Sequence, residues 1–189
     1  MTVAKLKAAQ ADAPDGVGQV PHGVPRDYNF AADVLQNNLA AGRADKPAYI
    51  DGRHTLTYRQ LADRVARFGA ALRGLGIRRE ERVMLVMLDT VDWPTAFLGC
   101  LKSGIVAVPV NTLLTENDYR FMLADSRAKC LVVSEALFPK FEKLIKENPD
   151  LEFIFRTEAI VLLGPALHGH AEQNQEEGQS HDLFVHTLS

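Results

Sequence analysis

Val83-Met84-Leu85-Val86-Met87-Leu88 is an unbroken apolar run. It is followed by Ile105-Val106-Ala107-Val108-Pro109-Val110 and then by Cys130-Leu131-Val132-Val133. A strand with one wet face alternates apolar and polar residues, so continuous runs of this kind mean strands covered on both faces. Helical stretches separate them. One is predicted from about Trp93 to Ser103, with Pro94 tolerated in its first turn, and one from the cap Thr115 to about Ala124. Another is expected from the cap Ser134 to about Lys146, and a fourth strand starts at Phe153-Ile154-Phe155. Strands alternating with helices require a parallel sheet, and right-handed crossovers place the helices on its faces. The fold class is α/β.

Upstream the pattern changes. Phe30, Val34, Leu35 and Leu39 share one helical face, and Gly42 ends that helix. Ala48-Tyr49-Ile50 and Thr55-Leu56-Thr57 flank Asp51-Gly52, which reads as a small hairpin. Thr57 with Gln60 three residues later is a capping box. The helix it opens carries Leu61, Val65, Phe68, Leu72 and Leu75, while Arg59, Arg64, Arg67 and Arg73 are read as its solvated face. Gly74 and Gly76 stop it.

Composition narrows the function classes. Lys plus Arg number 21 against 24 Asp plus Glu, a net charge of −3, so there is no basic footprint for nucleic acid. Cys100 and Cys130 stand in apolar surroundings and are read as buried thiols, without disulfide or metal spacing. No apolar run approaches the roughly 18 residues of a membrane helix, and no signal peptide is recognisable. A cytoplasmic location is expected. Residues 1–25 are read as a flexible leader; Gly16-Val17-Gly18 within it follows no strand and is no phosphate loop. After Arg156 there is no Lys or Arg, and His168, His170, His181 and His186 crowd a Gln-rich, polar end. Residues 158–189 are therefore read as a divergent, poorly ordered tail, in which Ala159 to Leu163 could form one more strand. The four histidines match no closed zinc pattern and lie outside the predicted sheet. No Gly-x-Ser-x-Gly elbow supports a hydrolase.

Two stretches carry a family resemblance. Leu56-Thr57-Tyr58-Arg59-Gln60-Leu61 is similar to the Leu-Thr-Tyr-x-Glu-Leu element of the adenylate-forming acyl-CoA ligases. Leu101-Lys102-Ser103-Gly104-Ile105-Val106-Ala107-Val108-Pro109-Val110-Asn111 is similar to their Leu-Lys-x-Gly-x-x-x-x-Pro element. Within that family the chain resembles bacterial benzoate-CoA ligases, on Pro25 to Ala31, Leu85 to Thr90 and Val110 to Thr115. The resemblance implies that residues 26–157 are a partial N-terminal AMP-binding domain. It also implies, for a complete enzyme, activation of benzoate or a related carboxylate with ATP and magnesium, through an acyl-adenylate, to the CoA thioester.

The family's Ser/Thr/Gly-rich phosphate loop ending in Pro-Lys has no counterpart in this sequence, and neither has its late catalytic lysine. The last lysine is Lys146, in a predicted surface helix. Lys102 could be offered as a phosphate ligand, but a cation at a helix C-terminus is favourable without one. No catalytic, cofactor-binding or metal-binding residue is therefore assigned, and no cofactor is expected for the isolated chain. The carboxylate, ATP and coenzyme A are expected as partners only of a complete enzyme, with no nucleic acid and no membrane. The alternative is a non-catalytic binding module that presents an open sheet edge and associates with the missing remainder.

Overall fold

The computed structural model describes residues 23–25, 27–157 and 185–187. The first helix, α1 (Phe30–Ala40), is capped by Asn29, whose side-chain oxygen accepts from the Ala32 amide at 3.0 Å. A two-stranded antiparallel hairpin follows, β1 (Pro47–Ile50) and β2 (Thr55–Thr57). Helix α2 (Tyr58–Gly74) starts at the predicted capping box: Thr57 Oγ1 accepts from the Gln60 amide, and Gln60 Oε1 from the Thr57 amide. It ends where Gly76 takes φ +84°, letting the Gly76 and Ile77 amides reach back to the Arg73 and Leu72 carbonyls.

The main sheet then builds up from β3 (Arg82–Val86), α3 (Asp92–Lys102), β4 (Val106–Pro109), α4 (Glu116–Ser126), β5 (Cys130–Ser134), α5 (Glu142–Glu147) and β6 (Phe153–Thr157). The spatial order is β4-β3-β5-β6-β7, where β7 is Val185–Thr187. Pairings among β3 to β6 are parallel; β7 runs antiparallel to β6.

Alternate residues of the central strands feed two cores. On one face Val83, Leu85, Cys130, Val132 and Phe155 pack under α2 and α3 through Phe68, Leu72, Ala96 and Cys100. On the other, Met84, Val86, Leu131, Val133 and Ile154 pack under α4 and α5 through Tyr119, Leu123, Phe141 and Leu144. A third cluster, including Leu35, Leu56, Leu61 and Val65, seats α1 and the hairpin on α2 and α3. β3 and β5 are almost wholly buried, as continuous apolar runs require. β4 lies at an edge and is only partly covered, so its apolar run does not mean burial on both sides. Both cysteines are buried thiols; burial pushes Cys100 up to about 12 and Cys130 well above the ordinary range.

Four expectations need correction. Ser134 does not cap a helix running to Lys146. Glu135–Lys140 is a 3₁₀ turn and only Glu142–Glu147 is α-helical, because Pro139 has no N–H for the Glu135 carbonyl and its ring crowds that carbonyl. Leu88 is not in a strand: β3 stops at Val86 and the chain turns at Leu88 to Thr90. Arg64 does not point into water but pairs with buried Asp92 at the head of α3. His186 is not outside the sheet: Val185–Thr187 is a strand, so the tail is not uniformly irregular. Ala159 to Leu163 and His168, His170 and His181 lie outside the described residues.

Candidate functional site

β3 sends its crossover through α3 on one face to β4, and β4 returns through α4 on the other face to β5. The order in which strands are added to the sheet therefore reverses at β3, with β4 on one side of it and β5 on the other. In open α/β sheets the loops leaving the strands' carboxyl ends diverge at such a point and leave a crevice. A cavity of about 250 Å3 lies there, lined by Asp51 to His54 of the hairpin loop, Leu88 to Asp92 after β3, Ser134 to Ala136 after β5, and Thr157.

Its walls are held by side chains that bond across the chain. Asp51 Oδ1 accepts from the Arg53 and His54 amides, both at 2.7 Å, and Oδ2 from the Val91 amide at 2.9 Å. The carboxylate folds its own loop and pins it to the head of α3. Gly52 does not adopt a positive φ, so the turn is made by the Asp51 side chain rather than by glycine's freedom. The Val91, Arg53 and His54 amides hold the Asp51 carboxyl down at about 2 from its ordinary 3.8. A folded-state value below the unfolded one means a contribution to stability that is present above pH 3.8 and lost as pH falls toward 2.

The strand ends are joined by Ser134, whose Oγ accepts from the Leu88 amide at 2.9 Å and lies 3.5 Å from Thr157 Oγ1. Asp92 pairs with Arg64, and Thr95 Oγ1 donates to the Val91 carbonyl at 2.9 Å. Glu135 pairs with Arg156, whose guanidinium lies 4.0 Å over the Phe138 ring and holds the Glu135 carboxyl below its ordinary range. Ion pairs between α2 and α3 and between the β5 loop and β6 thus brace both sides of the crevice.

What this arrangement can do chemically is limited. Four acids line the cavity (Asp51, Asp89, Asp92 and Glu135), against Arg53 and His54. Asp92 and Glu135 are neutralised by Arg64 and Arg156, so the crevice carries no excess of cations to hold a phosphate. No nucleophile is paired with a base among its lining residues, and no group of three or more His, Cys, Asp or Glu among the described residues could hold a metal. Lys102 ends α3, about 15 Å along that helix from the crevice. Its carbonyl and that of Leu101 accept from Asn29 Nδ2 at 3.3 and 3.0 Å, which ties α1 to the end of α3. The crevice residues escaped sequence reading. Asp51 was legible as a turn, but not its partner Val91; Ser134 was legible as a cap, but not as the acceptor for Leu88.

The two motifs quoted from the sequence perform structural work. Thr57 and Gln60 cap α2. Gly104, at φ +73°, lets the Gly104 and Ile105 amides reach the Leu101 and Cys100 carbonyls, and Arg79 packs against the space a side chain would occupy.

Residues 36–185 match the family described as AMP-binding enzyme. The chain is 47% identical over 132 residues to the benzoate--CoA ligase of Thauera aromatica, 69% of this chain and 25% of that protein. It is 43% identical over 129 residues to the 4-hydroxybenzoate--CoA/benzoate--CoA ligase of Rhodopseudomonas palustris, 68% of this chain and 24% of that one. The structure of a benzoate CoA ligase from Burkholderia xenovorans superposes with a TM-score of 0.64 at 44% identity, over 69% of this chain and 26% of the other. The chain spans about a quarter of the length of these relatives. No helix among the described residues is long and apolar enough to cross a membrane.

Proposed function

The chain belongs to the AMP-binding enzyme family, and from that premise we propose that it supplies the N-terminal part of a carboxylate–CoA ligase for benzoate or a related aryl acid. The identity of 47% over 132 residues to a benzoate--CoA ligase carries this reading. The long-chain-fatty-acid--CoA ligase of Escherichia coli shares the frame at 32% over 125 residues, which leaves a fatty carboxylate as the alternative substrate. In a complete enzyme the carboxylate would attack the α-phosphorus of ATP and displace pyrophosphate, and the sulfur of coenzyme A would then attack the acyl carbon of the adenylate and displace AMP. Cations and backbone donors stabilise the charge that develops on the phosphates.

The part played by this chain is a frame. The sheet, its four covering helices and the pinned hairpin present a rigid crevice. Residues 26–157 are the partial AMP-binding domain in this reading, with 1–25 as leader and 158–189 as tail, in the cytoplasm. The sequence given contains no phosphate loop and no late lysine, so the chain alone forms no acyl-adenylate. ATP–pyrophosphate exchange with benzoate tests this: no exchange is expected from the isolated chain, and turnover above the buffer blank would refute the inactive-frame reading.

A second reading is a non-catalytic interaction module, favoured by Leu113 and Phe121, which stand 86% and 68% exposed beside and on α4. Co-expression with the remaining three quarters of a benzoate--CoA ligase separates the two. Co-purification with restored exchange supports the frame. Co-purification without exchange supports the module.

A further inference from the structure

A second cavity, of about 210 Å3, adjoins the crevice and shares the turn from Asp89 to Val91 with it. Tyr49 and Ile50 of β1 line it, and so do Trp93 and Pro94 of α3. The bond from the Val91 amide to Asp51, the residue after Ile50, holds β1 beside the head of α3. Trp93 is half-buried and stacks on Phe97 one turn later, with ring centroids 5.0 Å apart and planes 16° from parallel, which fixes its ring. Tyr49 and Ile50 stay 44% and 71% exposed, so the cavity is open to solvent.

The chemistry of the walls selects the charge of a ligand. A helix N-terminus ordinarily offers amides to an anion, but here they are used. The Thr90 amide donates to the Leu88 carbonyl at 2.8 Å, the Val91 amide to Asp51 Oδ2 at 2.9 Å, the Asp92 amide to Thr90 Oγ1 at 3.4 Å and the Trp93 amide to the Thr90 carbonyl at 3.1 Å. Pro94 has no amide. Among the described residues that line this cavity, Asp89 is the one with a charge; Arg53 and His54 line the crevice instead. Asp89 is exposed, and among the described residues no ion pair or hydrogen bond engages its carboxylate. Aromatic faces beside a carboxylate attract a cation. A metal ion is not what they suit: it needs several oxygen ligands, and no cluster of three or more His, Cys, Asp or Glu is present among the described residues. A bare ammonium would leave N–H donors against Ile50 and Pro94, whereas N-methyl groups pack on such walls.

We infer that the cavity between β1 and the head of α3 binds a methylated or quaternary ammonium group of a small molecule, with Tyr49 and Trp93 as the aromatic walls and Asp89 as the counter-ion. Its volume exceeds the roughly 150 Å3 that takes up benzene, so a group the size of tetramethylammonium fits. This inference does not depend on the ligase reading.

Trp93 is the single tryptophan of the chain, so its fluorescence reports on this cavity alone. Titration of the full chain with tetramethylammonium chloride should change that emission saturably in the millimolar range. Sodium chloride at equal ionic strength and tert-butanol, a neutral group of similar shape, should not. Asp89→Asn and Tyr49→Leu should each weaken the response by about threefold. No saturable change, or an equal response to tert-butanol, would overturn the inference on the unaltered chain, whether or not the variants fold. Folded variants that bind as tightly as the parent would overturn it as well.

Discussion

The two faces of the sheet are covered by helices of different kinds. On the first, α2 and α3 are regular, α2 begins at a capping box, and the two pack so closely that glycines meet. A Cβ on Gly99 would stand 2.7 Å from the Phe68 ring, and one on Gly69 would stand 3.1 Å from the Gly99 carbonyl. On the second, α4 is regular, but the next segment is broken into a 3₁₀ turn and a short α5. Both faces bury apolar residues of the same strands. Regularity of a covering helix is thus not required for burial; Phe141 and Leu144 are buried from a segment that Pro139 interrupts.

The largest test of this contrast is Gly99→Val. The buried Phe68 ring cannot move away cheaply, so overpacking should cost about 3 kcal/mol, read as a shift of the denaturation midpoint. A loss of less than about 1 kcal/mol would mean that the α2–α3 contact is slack and the two faces are alike. Ser134→Ala comes next. It removes the acceptor for the Leu88 amide where the faces diverge, and should cost about 1 kcal/mol with faster hydrogen exchange at Leu88. No change at that amide would mean that the crevice is not held by this bond. Smallest is Pro139→Ala, which restores the missing donor. Helicity should rise by about one turn in far-ultraviolet circular dichroism, with stability changing by less than about 1 kcal/mol. No gain in helicity would show that tertiary packing, rather than proline, imposes the break.

Those segments also show why some elements were legible and others were not. Thr57 with Gln60, and Thr115 with Asp118, act within one turn of helix, and both capping boxes are formed. Ser134 offered only the cap residue, with Leu137 three positions on in place of a reciprocal partner; its hydroxyl is taken by an amide 46 residues earlier, and Pro139 stands too close for the helix to continue. The proline was visible in the sequence and sufficient to forecast the break. The destination of the hydroxyl was not. Arg64 reads as one of four wet arginines until Asp92, 28 residues on, is brought beside it.

The sequence alone determined the α/β class, the hairpin, the parallel core strands, the starts of α2 and α4 and the family, because each rests on periodicity, capping or motifs within a few neighbouring residues. Only the tertiary structure decided where the strand order reverses, which acids line the crevice, that Asp51 pins the Val91 amide 40 residues away, and that Val185–Thr187 pairs with β6. Those features join residues distant along the chain. Their partners are chosen by what the packed sheet leaves unsatisfied, and no local pattern encodes that choice.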